Sequence, residues 1–182
     1  GMTNLNKAIT ESSDTYFYQT AYNMGIDRLS AWMKRFGFGV PTGIDIQEET
    51  GANMPTREWK QKRYKKAWVQ GDTISVGIGQ GYWTATPLQL AKATSILVNN
   101  GKVNTPHLMK SVEGAVVEPY KDPLLYEDIT EPKQYFWDEA KRGMYNVVNG
   151  AGGTGRKAFI GTSYRVAGKS GTAQVFSLKE NQ

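Results

Sequence analysis

The stretch VAGKSGTAQ, residues 166–174, holds two overlapping motifs that favour different folds. Its GKS could end a phosphate-binding P-loop, whereas its KSGT could be the strand motif of an enzyme that forms an acyl-serine. A P-loop needs a glycine five residues before Gly168, and that position is Ser163. The approach to the motif, SYRVA, alternates in the manner of a β-strand. We therefore predict an extended segment over residues 164–175 and favour the KSGT interpretation.

A second glycine-rich stretch, residues 150–155, satisfies the pattern G-x-G-x-x-G. A dinucleotide fingerprint must follow a strand and open a helix. The preceding residues instead have the apolar spacing of an amphipathic helix, formed by Trp137, Ala140, Met144, Val147 and Val148. The glycines are therefore interpreted as a helix stop and a loop, and no nucleotide cofactor is expected.

The composition indicates a single globular domain with a real core. Of 182 residues, 39% are hydrophobic and 21% are charged, and no stretch approaches the roughly 20 apolar residues of a membrane span. Cysteine is absent, which excludes disulfides and thiol catalysis. Residues 1–2, Gly-Met, resemble a cloning scar, so we expect the domain to span residues 3–182.

The net charge of +5 is concentrated in the run REWKQKRYKKAW, residues 57–68. Basic residues interleaved with aromatic ones could bind single-stranded nucleic acid or lie near an anionic membrane surface. They could also form a solvated helical face whose aromatic side chains anchor it to the body of the protein. No recognisable nucleic-acid module surrounds the run, so no nucleic-acid partner is expected.

Glycines, capping residues and apolar periodicity predict helices over residues 4–8, 15–24, 26–36 and 87–100. Residues 71–87 are predicted to be a long loop because they contain four glycines. Residues 102–114 are interpreted as a strand and turn, and residues 118–133 as an exposed connection. A single strong strand cannot form a sheet alone. We therefore expect an α+β fold that is helix-rich here, with its central antiparallel sheet largely outside these residues.

The triplet SSD at residues 12–14 begins the second predicted helix, where serine and aspartate often serve as local caps. A functional interpretation pairs Ser12 with Lys169, because a hydroxyl beside an ammonium can relay a proton toward a leaving amine. Gly171 would let a substrate backbone approach closely, and the N–H of Thr172 could help to hold an oxyanion.

These motifs, in this order, resemble those of the penicillin-binding proteins and serine β-lactamases, for which Ser-x-x-Lys, Ser-Asp-Asn and Lys-Thr-Gly are the signature set. KSGT is similar to the third motif and SSD to the second. The intervening GDTISVGIGQGYWTATPLQLAKATSILVNNGKVNTPHL is very similar to the corresponding stretch of monofunctional penicillin-binding transpeptidases. SSDTYFYQ and NMPTREWKQKRYKKAW resemble the elongation-type transpeptidases of Gram-negative bacteria. The resemblance covers essentially the whole chain after residue 2.

The resemblance implies an acyltransferase that acts on peptidoglycan stem peptides, is the target of β-lactams and uses no cofactor. Its implied site residues are Ser12 as proton relay, Asp14 as the group that orients substrate and lysine, Lys169 as the charge that polarises Ser12, and Ser170, Gly171 and Thr172 as substrate contacts. Asp14 departs from the usual asparagine, and a carboxylate donates no hydrogen bond unless protonated. Some relatives have a zinc-site cysteine at the position of Ser13, but serine is a poor zinc ligand, so no metal is expected.

No Ser-x-x-Lys occurs in the chain, so the nucleophile is expected upstream of residue 1 and further strands downstream of residue 182. The chain is thus expected to be the central part of a transpeptidase domain and inactive alone. The resemblance implies a parent protein at the periplasmic face of the bacterial inner membrane, with membrane proteins of the elongation machinery as partners. A β-lactam sensor or a non-catalytic binding domain of the same fold is the alternative.

Overall fold

Helices dominate the part of the chain that the computed structural model describes, residues 3–115 and 127–174. They are α1 (Leu5–Thr10), α2 (Asp14–Arg35), α3 (Arg57–Tyr64), α4 (Gln70–Gly77), α5 (Pro87–Val98), α6 (Gln134–Asn149) and a 3₁₀ turn (Arg156–Phe159). Over the same ranges, β pairing is limited to the isolated bridges Asn53–Thr84 and Val112–Ala115. None of the described helices has the length and apolar character to cross a bilayer.

The predicted helices over residues 15–24 and 26–36 are confirmed, and they join across a kink. Gly25 has φ 73° and ψ 160°, so helical geometry is interrupted there although one element, α2, continues past it. The left-handed φ suits glycine, which has no Cβ to clash. The kink separates a first half, which leads to the candidate site, from a second half that packs in the core.

The predicted helix over residues 87–100 is confirmed as α5, which ends slightly earlier, at Val98. Its start is a capping box, since Thr86 Oγ1 accepts from Gln89 N at 3.1 Å and Gln89 Oε1 accepts from Thr86 N at 2.9 Å. The amide of Gln89 also donates to the carbonyls of Val40 and Gly51, both at 2.7 Å. One buried side chain therefore starts the helix and holds the loop beside it.

The core consists of two clusters on either side of α5. The larger one joins α2, α4 and α5 and includes Ala21, Ile26, Leu29, Phe38, Met54, Val76 and Ala93. The smaller one joins α5 to α6 through Ile96, Ile129 and Trp137. α6 also packs closely on α1, because Gly143 leaves room for Ile9, whose Cβ would lie 2.9 Å from a Cβ at that glycine. These contacts place the start of the chain beside α6.

The predicted loop over residues 71–87 is wrong at its beginning, which forms α4. Glycine, threonine and serine have low helix propensity, and tertiary packing overrides it here. Val76 is fully buried against the α2 cluster. A Cβ on Gly77 would lie 2.3 Å from the Cβ of Ala21, so this glycine is what allows α4 to approach α2 so closely.

The predicted strands are not formed among the described residues. Residues 102–114 have no ladder, and neither do residues 164–174, while residue 175 lies outside the described ranges. A strand needs backbone partners, and two backbone groups of this last segment, the Val166 carbonyl and the Gly168 N–H, pair with α6 instead. The predicted exposed connection over 118–133 is largely confirmed where it is described, because most of residues 127–133 are exposed. The exception is Ile129, which is 1% exposed and packs in the cluster with Ile96 and Trp137. Residues 118–126 of the connection lie outside the described ranges.

Replacing Gly77 by alanine is expected to destabilise the protein by about 1–3 kcal/mol, because the added methyl overpacks the contact with Ala21. Urea denaturation followed by circular dichroism measures the change. Gly71→Ala is the matched control, since it lies in the same helix and a Cβ there meets nothing within 4 Å. That control should leave stability unchanged or raise it by up to about 1 kcal/mol. Equal stabilities for the two variants would contradict the packing argument.

Candidate active site

A cleft of about 480 Å³ lies between the start of α2, the end of α4 and residues 169–172. It brings together the two stretches that sequence reasoning singled out, although they lie near opposite ends of the chain. Its lining includes all six predicted site residues, namely Ser12, Asp14, Lys169, Ser170, Gly171 and Thr172, together with Phe17, Gly77, Ile78 and Gln80.

Ser12 occupies the turn between α1 and α2 in a strained conformation, with φ 56°. Few non-glycine residues adopt a positive φ, and Ser12 is one of five in the described ranges, with Glu48, Ala52, Lys65 and Asn100. The N-cap of α2 is Ser13, which makes no side-chain capping bond. The Ser12 hydroxyl instead accepts a hydrogen bond from Lys169 Nζ at 2.9 Å. Local capping therefore does not account for this serine.

The Lys169 ammonium donates three hydrogen bonds, the full capacity of the group. Its acceptors are Ser12 Oγ at 2.9 Å, the Ser170 carbonyl at 2.8 Å and Ser170 Oγ at 3.1 Å. Partial loss of solvent around the ammonium lowers the pKa of Lys169 below the usual lysine value. The Asp14 carboxylate acts in the opposite direction and raises it. The lysine thus combines fixed geometry with a proton that is easier to release than usual.

Three contacts outside the motifs hold the Lys169 segment in place. Gly168 N donates to the carbonyl of Met144 in α6 at 3.1 Å. Asn149, the last residue of α6, donates its amide to the Val166 carbonyl at 2.9 Å. On the other side of the motif, the amide of Gln80 reaches the Thr172 carbonyl at 3.2 Å. Helix α6 and the loop after α4 therefore replace strand pairing in positioning the lysine.

Sequence reasoning missed Asn149 and Gln80 as positioning residues. Gln80 lies in the glycine-rich stretch GIGQG, and Asn149 lies directly before the glycines at residues 150–155. Nothing in the local sequence tells a side-chain amide that clamps a distant backbone carbonyl from a solvated one.

The glycine-rich stretch at residues 150–155 follows a helix, so it lacks the strand that a dinucleotide fingerprint needs. Gly150 is the C-cap of α6. Gly155 N donates to the carbonyl of Val147 at 2.9 Å, which folds the loop back on the end of that helix. The interpretation as a helix stop and loop is confirmed. Within the described ranges, no group of three or more His, Cys, Asp or Glu residues could hold a metal ion.

The first eight residues of the basic run form α3, which has a solvated charged face and an aromatic side packed on the body of the protein. Trp59 lies with its ring centroid 5.7 Å from that of Tyr64 and 5.4 Å from that of Tyr82. Lys60 is buried and pairs with Asp72 of α4. The remaining lysines and arginines of the run are exposed. This arrangement is the one expected of a solvated helical face attached to the body by its aromatic residues.

The chain is similar in sequence and in fold to known proteins. The family model for the penicillin-binding protein transpeptidase domain matches residues 1–182. The peptidoglycan D,D-transpeptidase MrdA of Haemophilus influenzae is 82% identical over 182 residues, and MrdA of Escherichia coli K12 is 54% identical over 187 residues. Both alignments cover 100% of this chain, which spans 28% and 29% of those proteins.

Among solved structures, PBP2 of Pseudomonas aeruginosa in complex with WCK 5153 matches with a TM-score of 0.88 and 47% identity, over 96% of this chain and 39% of that one. PBP2 of Helicobacter pylori in complex with MreC matches with a TM-score of 0.81 and 37% identity, over 95% and 31% of the two chains. The helix-rich architecture described above is thus a part of a known larger fold.

Replacing Asp14 by asparagine is expected to lower the pKa of Lys169 further, because it removes the negative charge that opposes the effect of lost solvent. The ammonium would then lose its proton at a lower pH than in the unchanged protein. The ¹³Cε shift of Lys169, followed by NMR during an alkaline titration and assigned with Lys169→Arg, measures this change.

Glu11→Gln is the control for this titration. It removes a carboxylate three residues before Asp14 in the sequence, which pairs with Lys7 at 4.0 Å. This variant should leave the Lys169 titration where it is. A pKa that stays constant or rises in Asp14→Asn would contradict the electrostatic role of Asp14.

Proposed function

The chain belongs to the penicillin-binding protein transpeptidase family, and from this premise we propose that it forms part of a peptidoglycan D,D-transpeptidase that cross-links stem peptides during cell-wall elongation. In the proposed reaction, a nucleophilic serine attacks the penultimate D-Ala carbonyl of one stem peptide and expels the terminal D-Ala. An amine of a neighbouring strand then attacks the acyl-enzyme, which releases the serine and completes the cross-link. β-Lactams acylate the same serine.

The observation that carries this proposal is the hydrogen bond of 2.9 Å between Lys169 Nζ and Ser12 Oγ, two residues 157 positions apart. A tetrahedral intermediate can expel an amine only if that amine gains a proton. The Ser12 hydroxyl can donate its proton to the leaving nitrogen and recover one from the Lys169 ammonium. The lowered pKa of Lys169 favours this transfer, because an ammonium with a lower pKa is a stronger acid and gives up its proton more readily.

The remaining cleft residues suit recognition of a peptide that ends in a carboxylate. The Lys169 ammonium supplies positive charge, and the hydroxyls of Ser170 and Thr172 can donate hydrogen bonds to an anionic end group. At Gly171, the direction of a Cβ is open space, so a substrate backbone can approach the chain there. Asp14 keeps its role as an acceptor for a substrate amide N–H and as the charge that supports the lysine.

The attacking serine is assigned to a part of the parent protein outside residues 1–182, because these residues contain no Ser-x-x-Lys. The same proposal places the parent protein at the periplasmic face of the bacterial inner membrane, with residues 3–182 as a part of its transpeptidase domain. The solved complex of Helicobacter pylori PBP2 with MreC supports membrane proteins of the elongation machinery as partners. No nucleic acid, metal or cofactor enters the proposed reaction.

The test is acylation of the full-length parent protein by a fluorescent penicillin. Lys169→Ala should lower the acylation rate constant by about a hundredfold or more, because it removes the proton source and the positive charge together. Ser12→Ala should lower it through loss of the relay. Ser163→Ala, at an exposed position outside the cleft, is the matched control and should acylate normally. Unchanged acylation in Lys169→Ala would contradict the proposed site.

Cross-linking distinguishes an enzyme from a sensor of the same fold. The full-length protein, supplied with pentapeptide-containing glycan strands, should produce cross-linked peptides that mass spectrometry detects. A protein that acylates with penicillin and forms no cross-links under conditions where an established transpeptidase does would instead be a β-lactam sensor or binding domain.

Residues 1–182 expressed alone are expected to form no covalent adduct with penicillin. The cleft supplies a relay and binding groups, and removal of the nucleophile from such a site eliminates most of its catalysis. Incubation with the fluorescent penicillin, denaturation and gel electrophoresis measure the adduct directly. A stoichiometric labelled band would mean that one of the serines in this chain is the nucleophile.

A further inference from the structure

Thr154 contacts the cleft residues from outside the cleft, and the reaction described above gives it no role. Its Oγ1 lies 2.7 Å from Ser170 Oγ, a distance at which either hydroxyl can be the donor. Ser170 also accepts from the Lys169 ammonium at 3.1 Å. The three groups form a chain that continues to Ser12, which accepts from the same ammonium at 2.9 Å.

The direction of the Thr154–Ser170 hydrogen bond decides what Ser170 can offer a substrate. A serine hydroxyl has one hydrogen to donate and two lone pairs that accept. An ammonium can only donate, so Lys169 occupies one lone pair of Ser170. If Thr154 donates to the other, both lone pairs are filled, and the Ser170 hydrogen must point elsewhere. If Ser170 donates to Thr154 instead, its hydrogen is used and nothing remains for an acceptor in the cleft.

A carboxylate has only acceptor oxygens, so it binds well only where hydroxyls turn their hydrogens toward it. An anionic substrate in the cleft therefore favours the arrangement in which Thr154 is the donor. We propose that Thr154 is a positioning residue that makes the Ser170 hydroxyl a donor aimed at the substrate carboxylate. This inference rests on the proposed function and adds to it a residue that acts only through Ser170.

The backbone around Thr154 is built to hold this hydroxyl in place. A Cβ on Gly153 would lie 2.2 Å from the Val147 carbonyl oxygen, so the loop can pass this close to the end of α6 only with glycine there. On the other side, Gly155 N donates to the same carbonyl at 2.9 Å. Thr154 N donates to the carbonyl of Thr10 at 3.4 Å. The loop is thus tied both to α6 and to the segment that leads into Ser12.

The Thr154 residue itself is exposed, so substitutions there should leave the fold intact. Thr154→Val keeps the shape of the side chain and removes its hydroxyl. Thr154→Ser keeps the hydroxyl and removes a methyl group. Ser170→Ala removes the group through which Thr154 is proposed to act, and it allows a double-mutant cycle between the two positions.

The experiment measures acylation of the full-length protein by benzylpenicillin, whose carboxylate stands in for that of the substrate, and separates initial binding from the acylation step. Thr154→Val should weaken initial binding by about three- to tenfold, the size expected for one hydrogen bond. Thr154→Ser should restore binding to within about twofold of the unchanged protein. In the Ser170→Ala background, Thr154→Val should have no further effect.

Normal binding by Thr154→Val in a protein that acylates would overturn the inference and leave the proposed function standing. So would an equal loss with and without the Ser170 hydroxyl, since Thr154 would then act by another route. Failure of the unchanged full-length protein to acylate would overturn the proposed function and this inference with it.

Discussion

The hydrogen bond between the Lys169 ammonium and the Ser12 hydroxyl, 2.9 Å long, is the contact on which the candidate site depends. It requires the segment that contains Lys169 to lie at a fixed distance from the turn before α2, where Ser12 is found. Helix α6 meets that requirement from both sides, because it packs on α1 through Gly143 and holds the backbone of residues 166–168 through Asn149 and Met144. The cleft, its charge and the proposed proton relay all depend on this placement.

Electrostatics gives the cleft its balance. Partial desolvation lowers the pKa of Lys169, and the Asp14 carboxylate limits how far it falls. An asparagine at residue 14 could donate and accept hydrogen bonds but would supply no charge. The Asp14 carboxylate has no hydrogen to donate, but its negative charge stabilises the Lys169 ammonium. The departure from the usual motif is therefore a change in how the lysine is supported, and it is compatible with the proposed relay.

Much of the helical framework could be predicted from the sequence, because capping residues, proline and glycine mark where its helices begin, bend or end. Thr86 and Pro87 begin α5, Gly25 interrupts the helical geometry of α2, and Gly150 caps the end of α6. Helix α4 could not be predicted in this way, since its glycines look like loop residues until Ala21 is known to lie against Gly77. The segment before Lys169 has the alternation of a strand, but its Val166 carbonyl and Gly168 N–H pair with helix α6 and not with a neighbouring strand.

The site residues that belong to recognisable motifs could be predicted from the sequence. The residues that contribute through a single side-chain contact could not. The six cleft residues were identified from two short motifs and a resemblance, and the structure places all of them in one cleft. Their catalytic and binding roles stay a prediction. Gln80, Asn149 and Thr154 gave no signal, because each acts on a group far away in sequence. Such contacts depend on the tertiary fold and have no local pattern.

The packing of α1 on α6 has a consequence for how the site assembles. Closing a flexible loop of 157 positions directly would cost conformational entropy that one exposed hydrogen bond could not offset. The apolar contact of Ile9 with Gly143 and the Asn146–Asn6 hydrogen bond of 2.9 Å close most of that loop beforehand. Lys169 then has only a short tether to span from the end of α6. Docking of these two helices should therefore precede formation of the relay during folding, and the order of events at the site is set by a contact that takes no part in its chemistry.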